Sequence, residues 1–91
     1  MQHVNSKKAK IVIEIIAQII KEEREKRGKS QRLLADEFDI PKSMISRIEN
    51  GINEPKLISL LSICEALNIK LSYLMLELEK KLPKDFTLMD L

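Results

Sequence analysis

The stretch SQRLLADEFDIPKSMISRIEN, residues 30–50, decides the fold of this chain, because its apolar residues recur with the period of two short helices. In each helix the apolar side chains fall on one face: Leu34, Ala35 and Phe38 in the first, Ile45 and Ile48 in the second. Only residues 39–41 separate the two helices, which predicts a tight corner. Ala35 supplies the small side chain that two helices need where they meet at a steep angle.

The second of these helices carries polar residues on the side opposite its isoleucines. The outward residues are Lys42, Ser43, Ser46 and Arg47. An arginine can form two hydrogen bonds with the O6 and N7 atoms of guanine, a lysine can reach guanine or a phosphate, and a serine does not discriminate between bases. The pattern therefore predicts that these four side chains read base edges in a DNA major groove. The alternative is an ordinary solvated helix face.

A longer region, residues 22–76, resembles the DNA-binding domain of the lambda-repressor/Cro-like family, also called the xenobiotic-response-element type of bacterial regulators. The pieces that match in order are REKRGKSQ (24–31), LA (34–35), SMISRIENG (43–51), Pro55 and LISLLSICEALNIKLSYLM (57–75). The resemblance implies an all-α, five-helix domain whose third helix is the recognition helix. Asp39 departs from the family, which usually has glycine there, so this aspartate is expected to adopt a left-handed conformation.

The resemblance also implies roles for residues around the recognition helix. Gln31 matches the family's phosphate-binding glutamine, which in related phage repressors also braces a recognition-helix side chain, here Lys42. Other polar residues on this surface are expected to donate to phosphates: Ser30, Arg32, Asn50, Asn53 and Lys56. For these the alternative is solvated surface. Arg24 and Glu49 match two positions that form an ion pair between helix 1 and the end of helix 3, which fixes the angle of the recognition helix.

Composition bounds the remaining possibilities. The 91 residues carry a net charge of only +2, so the motif rather than bulk charge supports DNA binding. A single cysteine, Cys64, excludes an internal disulfide and suits a reducing cytoplasm. The isoleucine-rich segment 11–20 is too short to span a bilayer, so no membrane partner is expected.

Catalytic chemistry finds no support in the sequence. The acidic residues Asp36, Glu37 and Asp39 form a run of the kind that is usually solvated, and no nucleophile accompanies them. There is no glycine-rich phosphate loop, no zinc-ligand spacing and no triad order, and His3 is a lone histidine. We therefore expect no enzyme activity, no cofactor and no metal.

The two ends of the chain indicate a dimer. Helix 1 is expected from about Ser6 to Arg27, and its N-terminal half is apolar over more than half of its circumference. One side of this half can pack against the domain's own core, and the other side needs a second cover, either the apolar tail 83–91 or a second subunit. The alternative is a loosely exposed helix. Residues expected to build a two-fold dimer are Leu78, Leu82, Phe86, Leu88, Met89 and Leu91. Such a dimer sets two recognition helices about 34 Å apart.

Taken together, the sequence predicts one helix-turn-helix domain over residues 1–82, followed by a dimerisation tail over 83–91. We expect a homodimer that binds a palindromic duplex-DNA operator and regulates transcription, with repression the expected mode. The alternative is a protein-interaction module, an antitoxin or antirepressor whose main act is binding a partner protein such as a toxin. A phage repressor, a restriction-modification controller and an antitoxin all fit the same sequence.

Overall fold

The protein is all-α, as a computed structural model over residues 6–89 shows. Its helices are α1 (Ser6–Lys26), α2 (Gln31–Phe38), α3 (Lys42–Asn50), α4 (Leu57–Ala66) and α5 (Leu71–Lys81). The five-helix fold predicted from the sequence is confirmed. None of the described helices is by itself long and apolar enough to cross a membrane; α4 and α5 reach that length only together, and they are bent by 105° at their junction.

The corner between α2 and α3 has the geometry that its residues predict. The Ser30 hydroxyl accepts a hydrogen bond from the Leu33 N–H at 3.0 Å and so caps the start of α2. Asp39 ends that helix in the left-handed region, with φ 54° and ψ 46°. The Ile40 N–H then bonds back to the Ala35 carbonyl at 3.1 Å, which closes the turn.

The hydrophobic core lies where α1 packs against α3 and α5 and where α2 packs against α3. Its fully buried side chains include Ile20, Leu34, Ile45, Ile63, Leu67 and Leu74. Phe38, predicted to share the inward face of α2, is 46% exposed instead, and the Lys29 ammonium lies 5.5 Å from its ring centroid. That prediction is wrong because Phe38 is the last residue of α2, where the chain already turns away from the core.

The second cover of α1 comes from the tail of the same chain. The Lys8 ammonium donates to the Thr87 hydroxyl at 3.5 Å and to the Met89 carbonyl at 3.4 Å, so the tail lies beside the N-terminal half of α1. Phe86 is half-buried, Leu88 is exposed, and Leu91 lies outside the described residues. Of the two covers expected for α1, the tail and a second subunit, the tail lies beside α1 in this chain.

Leu78, assigned above to the dimer surface, is a core residue. Its side chain belongs to the buried cluster, and Leu82 packs against the edge of that cluster. The helical repeat of α5 does not distinguish a residue that closes its own core from one that meets a second subunit, so a role of Leu78 in a dimer stays a prediction. An apolar groove of about 370 Å³ remains open beside α5, lined chiefly by Val12, Ile13, Leu57, Leu60, Met75 and Leu88.

The end of α3 lies directly against α1. Gly51 ends α3 with φ 62°, a conformation that suits glycine. A Cβ atom at this position would lie 3.6 Å from the Cβ of Ala17 and 3.7 Å from the Cα of Glu14. These are ordinary van der Waals distances, so the left-handed backbone rather than lack of space favours glycine here, and the end of α3 packs against α1.

Candidate nucleic-acid interface

The recognition helix α3 is amphipathic in the structure. Ile45 and Ile48 are buried on its inner side at 0% and 5% exposure. On its outer side Lys42, Ser43 and Arg47 are exposed and Ser46 is half-buried. The four side chains predicted to read bases therefore lie on the side that is available to a partner, and their contact with bases stays a prediction.

Arg47 connects the recognition helix to the loop that follows it. Its Nε atom donates to the Ser43 carbonyl at 3.3 Å, which keeps the side chain along the helix surface. It also lines a cleft of about 320 Å³, whose other charged residues are Lys56 and Glu54 and whose lining includes Met44, Ile48, Asn53, Pro55 and Ser59. The structure thus brings one predicted base-reading residue together with two predicted phosphate-binding residues, Asn53 and Lys56.

Other predicted phosphate-binding residues lie at the start of α2 and at the end of α3. Ser30 is exposed, and its oxygen accepts the capping hydrogen bond described above, while its O–H stays available as a donor. Arg32 is exposed on the first turn of α2. Asn50 is exposed, and its Nδ2 atom lies 3.4 Å from the Ser46 hydroxyl, so these two side chains support one another.

Arg24 and Glu49 form a bidentate ion pair beneath this surface. Arg24 Nε donates to Glu49 Oε2 and Arg24 Nη2 donates to Glu49 Oε1, both at 2.8 Å. The side chains are only 10% and 2% exposed. Hydrogen bonding to Glu49 raises the pKa of Arg24, outweighing the effect of burial. Arg24 Nη1 also donates to the Lys29 carbonyl at 2.7 Å, so the pair joins α1, the following turn and α3.

Gln31 differs from the sequence-based expectation in its partner. Its Nε2 atom donates to Glu49 Oε1 at 3.1 Å and does not brace Lys42. The expected brace, in which the glutamine oxygen would accept from the Lys42 ammonium, is not formed among residues 6–89; the amide N–H donates to the carboxylate, a charged acceptor, instead.

A second buried polar cluster was not predicted from the sequence. The Glu23 carboxylate accepts hydrogen bonds from Arg27 at 3.0 Å, Lys26 at 3.1 Å and the Tyr73 hydroxyl at 3.2 Å. Burial raises the pKa of Glu23, but the hydrogen bonds from Arg27, Lys26 and Tyr73 outweigh burial, so the pKa of this carboxyl is lowered from its ordinary value of 4.5. The i+3 and i+4 spacing of the two basic residues was a usable signal; the contact with Tyr73, fifty positions away, was not.

Metal ligation and thiol chemistry can both be assessed among residues 6–89. Within residues 6–89 no group of histidine, cysteine and acidic side chains is arranged to hold a metal ion. Burial raises the pKa of the Cys64 thiol to about 11, so this cysteine is a poor nucleophile at neutral pH. What the surface around α3 presents is a set of hydrogen-bond donors and positive charges.

Comparisons with known proteins agree with this geometry. A family model described as helix-turn-helix matches residues 20–74, more than half of the chain. The match contains α2, α3 and α4 whole, together with the end of α1 and the start of α5. No curated protein matches the chain, and no solved structure matches it. The N-terminal half of α1 and the tail lie outside the matched region.

Proposed function

We propose, because this chain belongs to the Cro/C1-type helix-turn-helix family of DNA-binding regulators, that it is a transcriptional repressor which binds a palindromic operator as a homodimer. Family membership makes it a DNA-binding regulator rather than a member of an enzyme family. The observation that carries the proposal is the outer face of α3, where Lys42, Ser43 and Arg47 are exposed above a buried isoleucine face. A repressor that works on DNA in this way acts in the cytoplasm, where its single cysteine stays reduced.

The proposed binding mode places α3 in the major groove. Arg47 then bonds the edge of a guanine, and Lys42 and Ser43 contact the neighbouring base or phosphate. The cleft residues Asn53 and Lys56 and the polar residues at the start of α2 are then expected to hold phosphates of the duplex backbone. Phosphate contacts set the position of the protein on the duplex, and base contacts provide the sequence preference.

A salt titration tests this function. We expect the affinity for a random-sequence duplex, followed by fluorescence anisotropy, to fall steeply with salt, because each neutralised phosphate contributes about −0.9 to the slope of log K against log salt. Three or four basic contacts per protomer predict a slope of about −3 to −4 for each protomer. The alternative, an antitoxin or antirepressor that mainly binds a partner protein, predicts a slope near zero.

The homodimer is proposed from apolar surface that the chain leaves open. Ile52, Leu57 and Ile58 are 68%, 65% and 71% exposed, and they lie immediately after the recognition helix. Leu57 also lines the apolar groove together with Leu88 of the tail, so this surface is continuous with part of the predicted dimerisation element. A contiguous exposed apolar surface, such as the groove that Leu57 and Leu88 share, is typical of an interaction site.

Sedimentation velocity at micromolar concentration tests the dimer. We expect the parent to sediment as a dimer and Leu57→Glu to sediment as a monomer, with weaker duplex binding as a consequence. Leu76→Glu is the matched control, since Leu76 is also half exposed but does not line the groove. A parent that stays monomeric under these conditions refutes the dimer and leaves the fold and the reading surface unchanged.

A further inference from the structure

The carboxylate of Glu49 joins three helices. It lies on α3 with only 2% of its side chain exposed. Two of its contacts are with Arg24 of α1, and the third is with Gln31, the first residue of α2. An ion pair between α1 and α3 needs the first two contacts only, so the hydrogen bond with Gln31 calls for a separate explanation.

That third contact fixes a side chain on the DNA-facing surface. A glutamine amide has two N–H groups, and Gln31 donates one of them to Glu49 at 3.1 Å. Among residues 6–89 the amide has no other hydrogen-bond partner, and Gln31 is only half-buried, so the second N–H is available to a ligand. A side chain that is already held in one rotamer loses less conformational entropy when a ligand binds.

We propose that Glu49 is a positioning residue for DNA binding, which fixes the Gln31 amide so that its free N–H meets a backbone phosphate; this rests on the function proposed above. Arg24 makes the arrangement compatible with DNA. A bare carboxylate beside a phosphate contact would repel the backbone, but the bidentate guanidinium neutralises Glu49 at 2.8 Å. The ion pair therefore orients a DNA contact as well as joining α1 to α3.

The sign of one substitution separates this role from general electrostatics. Glu49→Gln removes a negative charge, which by itself should strengthen binding to any duplex. The new amide has one acceptor oxygen for the three N–H donors that Glu49 satisfies with two oxygens, so the Gln31 amide loses its fixed orientation. We expect Glu49→Gln to weaken binding to a random-sequence duplex threefold to tenfold. Glu65→Gln, at an exposed position on α4, is the control and should leave binding unchanged or slightly stronger.

Two further variants test the same role and do not require that Glu49→Gln folds. Glu49→Asp retains the charge and shortens the side chain by one methylene, so it cannot reach both Arg24 and Gln31 in the present geometry. Gln31→Met retains the length of the side chain and removes the amide. Each should weaken duplex binding by about tenfold or more, in line with loss of one hydrogen bond to a charged group. Gln18→Met, at an exposed position on α1, is the control for the second variant.

A double-mutant cycle gives the decisive comparison. If Glu49 acts through Gln31, Gln31→Met combined with Glu49→Asp should bind duplex DNA within about twofold of the weaker single variant. Multiplied losses in the double variant overturn the proposal, because they mean that the two residues act separately. Single variants of Glu49 that bind as tightly as the parent overturn it as well.

A measurement without DNA distinguishes this proposal from the proposed function. In NMR spectra of the parent, the Gln31 side-chain amide protons should exchange with water more slowly than they do in Glu49→Asp. Equal exchange in the two proteins overturns the positioning role whatever the DNA result. Slow exchange in a parent that shows no salt-dependent duplex binding overturns the DNA-binding function and, with it, the role of the held amide.

Discussion

Replacing Arg24 by methionine should lower the free energy of unfolding of this protein more than the replacement of any exposed charged residue. The change keeps much of the apolar length of the side chain and removes the guanidinium. It leaves the carboxylate of Glu49, 2% exposed, with only the neutral amide of Gln31 as a partner. It also removes the hydrogen bond that the Lys29 carbonyl accepts at 2.7 Å.

The magnitude follows from the burial of the pair. Breaking a buried ion pair by removing one partner costs about 3–5 kcal/mol, because the remaining charge stays desolvated and uncompensated. For a domain of this size, each kcal/mol lowers the melting temperature by about 4–8 °C. The lower bound therefore predicts a fall of about 12–24 °C for Arg24→Met. Removing both charges with Arg24→Met and Glu49→Leu should restore much of this loss, since no charge is then left buried.

Urea unfolding followed by circular dichroism at 222 nm measures the effect. The urea dependence of a small domain is at least about 1 kcal/mol per molar, so a loss at the lower bound of about 3 kcal/mol should lower the midpoint by up to about 3 M. Lys10→Met is the matched control, because the Lys10–Glu14 pair spans 3.9 Å with side chains 69% and 58% exposed and should contribute well under about 1 kcal/mol. A midpoint for Arg24→Met equal to that of the control would refute the buried-pair argument.

Three further predictions concern the reading surface, the corner and the second polar cluster. Arg47→Ala should weaken binding to an operator selected from random duplexes by about 1–3 kcal/mol, whereas Lys56→Ala should weaken binding to all duplexes alike and reduce the salt slope by about one. Anisotropy titrations against operator and scrambled duplexes measure both effects. Equal losses of affinity on the two duplexes for Arg47→Ala would contradict base reading. Asp39→Gly should raise the stability by about 0.5–1 kcal/mol in urea unfolding, since φ is 54° there; a loss would show that the carboxylate contributes more than the strain costs. The pKa of Glu23 is lowered from its ordinary value of 4.5 in the folded state, so its stabilising effect is present above that value and is lost as the pH falls through the folded pKa. Glu23→Gln should therefore lose less stability than the parent as the pH is lowered. Thermal melts from about pH 7 to 3 measure this difference.

The elements of the fold that depend on local chemistry were predictable from the sequence. Helical periodicity located α2 and α3, and the residue types of Ser30 and Gly51 suit the start of α2 and the end of α3. Asp39 adopts the left-handed conformation that was expected because the family usually has glycine at this position. Each of these features involves residues a few positions apart. The physical rule that governs them acts within one turn of helix, so the sequence alone contains it.

The features that depend on distant contacts were not predictable in the same way. The Gln31 side chain can donate to a carboxylate or accept from an ammonium, and only the packed position of Glu49 shows which partner it takes. The contact between Tyr73 and Glu23 joins α5 to α1, and the burial of Leu78 depends on which side of α5 meets α1. In each case the residue type permits several partners, and the tertiary arrangement selects one.

The close approach of Gly51 to Ala17 and the ion pair between Glu49 and Arg24 have a mechanical consequence. Ala17 and Arg24 are two turns apart on α1, about 10 Å along its axis, and both touch the last residues of α3 or the glycine that follows. Glu49 and Gly51 are two positions apart in the sequence, so both contacts hold the same end of α3 to α1, and the rest of the recognition helix is held by its buried isoleucines. A displacement of α1 should therefore move the C-terminal end of α3 with it.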